Sequence, residues 1–158
     1  MDNVEIFNCS QIDTFKAALR FQSASQLYSS VTNSAVHNGY AWGIHVTASA
    51  NIHIKDNIFF NFRPIGAGIR SSRNITFDNN IVGGIVDRTT LETGDMVVDK
   101  AGAVSICAYD EGDASCTDIY VRNNIVGGST YGGFITYGHP CGDYSSRFEG
   151  NVAHSING

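Results

Sequence analysis

The chain has 158 residues, enough for one domain with a buried core; 16% are charged, with 17 Gly and 2 Pro. That composition is poor in the residues that long helices need. A net charge of −5 excludes a nucleic-acid binder acting through its overall field, and no apolar run is long enough for helical membrane insertion.

The N-terminus, Met1-Asp2-Asn3-Val4, has neither a basic region nor an apolar run, so it reads as lacking a secretory leader. A short motif then recurs along the chain. Its first copy is read at Ile6-Phe7-Asn8-Cys9, followed by Val31-Thr32-Asn33-Ser34 and Ile54-Lys55-Asp56-Asn57. The two strongest copies are Phe77-Asp78-Asn79-Asn80-Ile81-Val82-Gly83-Gly84 and, 44 residues later, Val121-Arg122-Asn123-Asn124-Ile125-Val126-Gly127-Gly128. A last copy is Phe148-Glu149-Gly150-Asn151-Val152. A period of this length without helical spacing points to a β-solenoid.

Within each copy, apolar residues two apart mark one face of a strand: Val4 and Ile6, Ile52 and Ile54, Ile75 and Phe77, Ile119 and Val121. The intervening Glu5, His53, Thr76 and Tyr120 are expected to face solvent. An Asn/Asp-rich turn closes each strand, giving two aligned columns. One runs Asn8, Asn33, Asp56, Asn79, Asn123, Gly150; the next runs Cys9, Ser34, Asn57, Asn80, Asn124, Asn151. Stacked amides at Asn57, Asn80, Asn124 and Asn151 are expected to bond from rung to rung as an asparagine ladder.

A second strand aligns as Leu19-Arg20-Phe21, Gly43-Ile44-His45-Val46, Gly68-Ile69-Arg70-Ser71, Ala103-Val104-Ser105-Ile106 and Gly133-Phe134-Ile135-Thr136. Two insertions, from Val86 to Gly102 and from Cys107 to Asp118, interrupt the repeat where loops would carry function. Neither terminus offers a cap, so 1–158 is expected to be one β-helix segment of a longer protein. Its open ends would meet the remainder of that polypeptide or neighbouring subunits.

Of four cysteines, Cys107 and Cys116 bracket a loop and are expected to pair; Cys141 could compete for either, and Cys9 is read as a small buried residue. Two glycosylation triplets occur, at Asn8 and Asn74. Asn8 is expected to point inward and stay bare, Asn74 to be able to carry a glycan. A disulfide and a glycan favour an extracellular setting.

Candidate chemistry sits on the second strand and in the loops. This alignment places Arg20, His45 and Arg70 at one outward position of consecutive rungs, roughly 5 Å apart, a cradle for an acidic polysaccharide. Tyr131 and Tyr137 offer stacking surfaces for sugar rings. His139 and Asp143 are weak candidates for proton transfer. Asp110, Glu111 and Asp113, with Asp118 after them, are weak calcium candidates without ordered spacing. No phosphate-binding loop, nucleophile elbow or zinc motif is present, and no cofactor is expected.

The run from Ser29-Ser30-Val31-Thr32-Asn33 through Gly43-Ile44-His45-Val46, Ile54-Lys55-Asp56-Asn57 and Gly68-Ile69-Arg70 resembles the parallel β-helix repeats of pectate-lyase-like proteins. More narrowly, it is similar to repeats of large fibrocystin-like cell-surface proteins and their hyaluronan-binding relatives. The resemblance implies an all-β fold, a right-handed, single-stranded parallel β-helix with three sheets and about five to six rungs, in an extracellular or cell-surface protein. The spacing matches no lyase pattern of calcium-binding aspartates and catalytic arginine. The expectation is therefore a non-enzymatic scaffold or binding surface for polysaccharide or protein. The alternatives are a fragment of a polysaccharide lyase or hydrolase and a self-assembling filament subunit.

Overall fold

The computed structural model describes residues 1–11, 16–86, 102–107, 116–130, 132–136 and 145–157. Among these, every regular element is a β-strand, and successive strands pass in turn through three parallel sheets. The first sheet holds β1 (Glu5–Phe7), β4 (Ala35–His37), β7 (Ile58–Phe60), β10 (Ile81–Ile85), β13 (Ile125–Ser129) and β16 (Val152–Ile156), in that order. The second holds β2 (Leu19–Gln22), β5 (Ile44–Thr47), β8 (Ala67–Arg70), β11 (Gly102–Ile106) and β14 (Gly132–Thr136). The third holds β3 (Ser29–Thr32), β6 (Ala50–Lys55), β9 (Arg73–Asp78), β12 (Thr117–Arg122) and β15 (Arg147–Glu149). Each strand pairs with the element three places on, so the chain is a parallel β-solenoid. It makes about four turns, slightly fewer than the five to six rungs expected. The outermost sequence copies form terminal rungs and do not each enclose a further turn.

Side-chain alternation builds the core. In the third sheet Val31, Ile54, Phe77 and Val121 stack in one inward column, each exposed by 2% or less. Val36, Phe59, Val82 and Val126 form the matching column of the first sheet, and Val46, Ile69 and Ile106 that of the second. Each such side chain contributes about 1.5–3 kcal/mol by leaving water.

Tight corners join the sheets, and they need left-handed backbone. Between the third and first sheets the bend falls on Asn3, Asn33, Asp56, Asn79, Asn123 and Gly150, with φ from 50° to 65°. Asn, Asp and Gly tolerate this region best. Beside that column runs the asparagine ladder. The Asn57 N–H and Nδ2 both donate to Asn80 Oδ1 at 3.0 Å. Asn80 repeats the pattern onto Asn124 Oδ1 at 2.8 and 3.1 Å, and Asn124 onto Asn151 Oδ1 at 3.0 and 2.8 Å. The second hydrogen of each Nδ2 reaches a strand carbonyl of the preceding rung.

The first copy is corrected by the structure. Ile6 pairs with Val36 in the first sheet, so Asn8 belongs to a different corner, with Asn38, Asn61, Gly84, Gly128 and Ser155, all at positive φ. Asn8 is exposed and does not point inward, and Cys9 is a half-buried free thiol outside the ladder. The ladder corner of this rung is formed by Asn3 and Val4, whose N–H groups donate to Thr32 O and Ser34 Oγ, each at 3.2 Å. Both corners favour Asn after an apolar strand, so the local motif alone cannot distinguish them. Glu5 consequently lies on the first sheet, and Thr76, although outward, is 9% exposed between His53 and Tyr120 of the adjacent rungs.

A serine ladder, unseen in the sequence, satisfies the corner between the second and third sheets. Ala24 N–H donates to Ser49 Oγ and Ser49 N–H to Ser72 Oγ, both at 3.1 Å, while the two hydroxyls donate back to Thr47 and Arg70 carbonyls. The disulfide Cys107–Cys116 closes the next rung at this corner, with Cys116 buried next to the ladder. Replacing both cysteines by Ser is expected to lower stability by about 2–3 kcal/mol through the freed loop, measured as a fall in the urea midpoint.

Candidate binding faces

The outer face of the second sheet carries the basic residues. Arg20, His45, Gly68, Ser105 and Ile135 share one column. Arg70 is not in it: Arg70 pairs with Thr47, two residues further along the strand. A two-residue slip keeps every inward residue inward, so alternation fits either alignment. Gly68 takes the expected place of Arg70 because Trp42 lies across it; a Cβ there would approach the indole within 2.5 Å.

Trp42 organises this face. His45 meets the indole edge-on with ring centroids 4.4 Å apart, and the Arg70 guanidinium stands 5.7 Å from the ring centroid. Cation–π contact of this kind suits Arg. His45 is only 3% exposed, and neither ring nitrogen has a hydrogen-bond partner. Burial, then the positive charges of Arg70 and Arg20, push its pKa down to about 4. His45 is thus neutral at physiological pH, and the cationic groups of the face are the exposed Arg20 and the Trp42-backed Arg70.

The third sheet presents a charge ladder. Thr32, Lys55, Asp78, Arg122 and Glu149 follow one another on successive rungs, with Asp2 beside Thr32. Arg122 chelates Asp78 through Nε at 3.1 and 3.2 Å and through a terminal nitrogen, and its guanidinium lies over Tyr120 at 5.4 Å. The bond to Asp78 raises the Arg122 pKa further. At the start of the same strands Asn51, Asn74 and Asp118 share a left-handed bulge. Asn74 is exposed there, its Nδ2 donating to Asn51 Oδ1 at 2.7 Å.

The first sheet is apolar outside as well as inside. Ala35, Ile58, Ile81, Ile125 and Val152 form an outward column, the last four between 45% and 52% exposed. Next to it run Phe7, His37, Phe60, Gly83, Gly127 and His154. The His37 ring stacks on Phe7, and its Nε2 lies 3.0 Å from Glu5 Oε1. Tyr131, Tyr137, His139, Asp143, Asp110, Glu111, Asp113 and Cys141 lie outside the described residues.

The amino-acid sequence that builds these columns is similar to part of a known protein. The chain is similar to fibrocystin along nearly its whole length. Identity with fibrocystin from Canis lupus familiaris is 30% over 156 residues, covering 98% of this chain. The chain spans only 3% of that protein. No family model matches the chain, and no solved structure does. The fibrocystin likeness therefore rests on the sequence of the rungs themselves.

Proposed function

We propose that this chain is a non-enzymatic segment of an extracellular or cell-surface protein, serving as a rigid scaffold and binding surface. The observation that carries the reading is the likeness to fibrocystin over 98% of a chain whose rungs are locked by continuous ladders. The disulfide supports an oxidising compartment, where exposed Asn74 is a glycan acceptor.

The ligand face is the outer second sheet. Arg20 and Arg70 stand two rungs apart along the axis, about 10 Å at the spacing of paired strands, with the Trp42 indole against Arg70. Two guanidinium forks at that separation suit successive carboxylates or sulfates of an acidic polysaccharide. The test is surface plasmon resonance against immobilised heparin and hyaluronan, with chain length followed by gel filtration. Arg20→Ala with Arg70→Ala is expected to weaken binding at least tenfold, while Lys55→Ala on another face leaves it unchanged. Equal affinity for the double variant and the natural chain would remove this face from the account. Shortening of the polymer would replace the scaffold reading by that of a carbohydrate-active enzyme.

A further inference from the structure

The outer face of the third sheet has a hollow at the rung of β9. His53, Thr76 and Tyr120 follow one another on successive rungs, and Thr76 is 9% exposed between two half-buried rings. His53 and Tyr120 are two rungs apart, about 10 Å at the spacing of paired strands, which leaves the width of one sugar ring above Thr76. Tyr28 extends the His53 wall, with ring centroids 4.5 Å apart. The Thr76 and Tyr120 hydroxyls and both His53 nitrogens have no hydrogen-bond partner among the described residues. Burial holds the His53 pKa below the ordinary imidazole value, so the neutral ring offers one donor and one acceptor. Charge at the end of this strand is already paired, because Arg122 chelates Asp78. These groups suit a neutral ligand rich in hydroxyls, not an anion.

Exposed Asn74 lies two residues before Thr76 on the same strand, and its Nδ2 donates to Asn51 Oδ1 at 2.7 Å. In an N-glycan linkage the Asn74 nitrogen gives up one proton and bonds the anomeric carbon of the first sugar, as a lipid diphosphate leaves that carbon. The second hydrogen stays on nitrogen and keeps the bond to Asn51, so the side chain that carries the sugar is already oriented. We propose that the first N-acetylglucosamine of a glycan on Asn74 lies in the hollow over Thr76, between His53 and Tyr120. The rings pack against the C–H faces of the sugar, while its hydroxyls and acetamide bond Thr76, His53 and Tyr120. The sugar then ties β6, β9 and β12 together from outside, opposite the core column of Ile54, Phe77 and Val121. This rests on the reading of Asn74 as a glycan acceptor, and adds where the sugar sits and what it does there.

The test uses the full chain secreted from animal cells, with Asn8→Gln so that Asn74 is the one acceptor triplet left in the sequence. An endoglycosidase trims the glycan to a single N-acetylglucosamine, and mass spectrometry reads the occupancy. The reference is the same chain with Asn74 bare, secreted while glycan assembly is blocked. The one-sugar chain is expected to melt about 2–4 °C above the bare chain. Tyr120→Ala and His53→Ala, both at half-buried positions, are each expected to remove most of that increment, measured between the one-sugar and bare forms of the same variant. Ile81→Ala, on the outer face of the first sheet, should leave the increment unchanged. Nuclear Overhauser contacts from the acetamide methyl to the Tyr120 ring are expected in the one-sugar chain. An occupied Asn74 without an increment, or an increment that survives both ring deletions, overturns the proposal and leaves the acceptor reading standing. A bare Asn74 in the secreted chain removes the acceptor reading and the proposal with it.

Discussion

Asn80→Leu is expected to destabilise the solenoid by about 3–5 kcal/mol, seen as a lower urea midpoint with an unchanged slope. Asn80 is 1% exposed. Its Oδ1 accepts both the N–H and the Nδ2 of Asn57, and its own Nδ2 bonds the Ile54 carbonyl. Leucine has nearly the same shape but leaves these groups buried without partners, at about 1–3 kcal/mol each. Hydrophobic gain from the new methyl groups offsets part of the loss. Asn80→Ser is the instructive control. The second rung already uses Ser34 at this position, where Oγ accepts from the Val4 N–H and donates to the Thr32 carbonyl. A serine hydroxyl therefore preserves one acceptor, and its cost should fall well below that of leucine. The same change at Asn151, half-buried on the terminal rung, should cost less again because water reaches the released groups. If Asn80→Leu matched the natural chain in stability, the ladder would be a passive line of turn residues.

The inside of the solenoid was legible because alternation and the Asn turn are both local signals. Ile52 and Ile54, Ile75 and Phe77, and Ile119 and Val121 fell inward as their spacing requires, and the Cys107–Cys116 pair follows from the loop it brackets. What failed was register. The first copy slid to the wrong corner because Asn3 and Asn8 both follow the chemistry of a left-handed bend. Arg70 stands one column away from its expected place, because a slip of two residues preserves alternation. The apolar outer face of the first sheet was hidden for another reason. Ile58-Phe59-Phe60 is apolar at every position, so nothing in it shows that Phe59 points in while Ile58 and Phe60 point out. The serine ladder has no sequence signature, because Ser49 and Ser72 read as ordinary turn residues until stacking brings each hydroxyl to its neighbour's backbone.

His45 should make the fold acid-sensitive. In the folded chain its pKa is pushed down to about 4 by burial, with Arg70 and Arg20 adding repulsion, whereas in the unfolded chain it titrates near the ordinary value of about 6.5. Below that value the unfolded chain takes up a proton that the folded chain refuses. Stability from this residue is therefore fully present above about pH 6.5 and is lost as pH falls towards 4. The loss is on the order of 2–3 kcal/mol by linkage. The geometry gives no relief, since the ring is 3% exposed, packed edge-on to Trp42, and has no acceptor at either nitrogen to share the new charge. His45→Phe keeps an aromatic contact with Trp42 and removes the titration. Urea unfolding at pH 7.5 and pH 4.5 should show the natural chain weakening more than this variant, by about the linkage amount. An NMR titration should place the folded imidazole far below the free value. Equal weakening of both proteins would mean that water or a counter-charge reaches His45, and that the second-sheet face is more open than its packing around Trp42 implies.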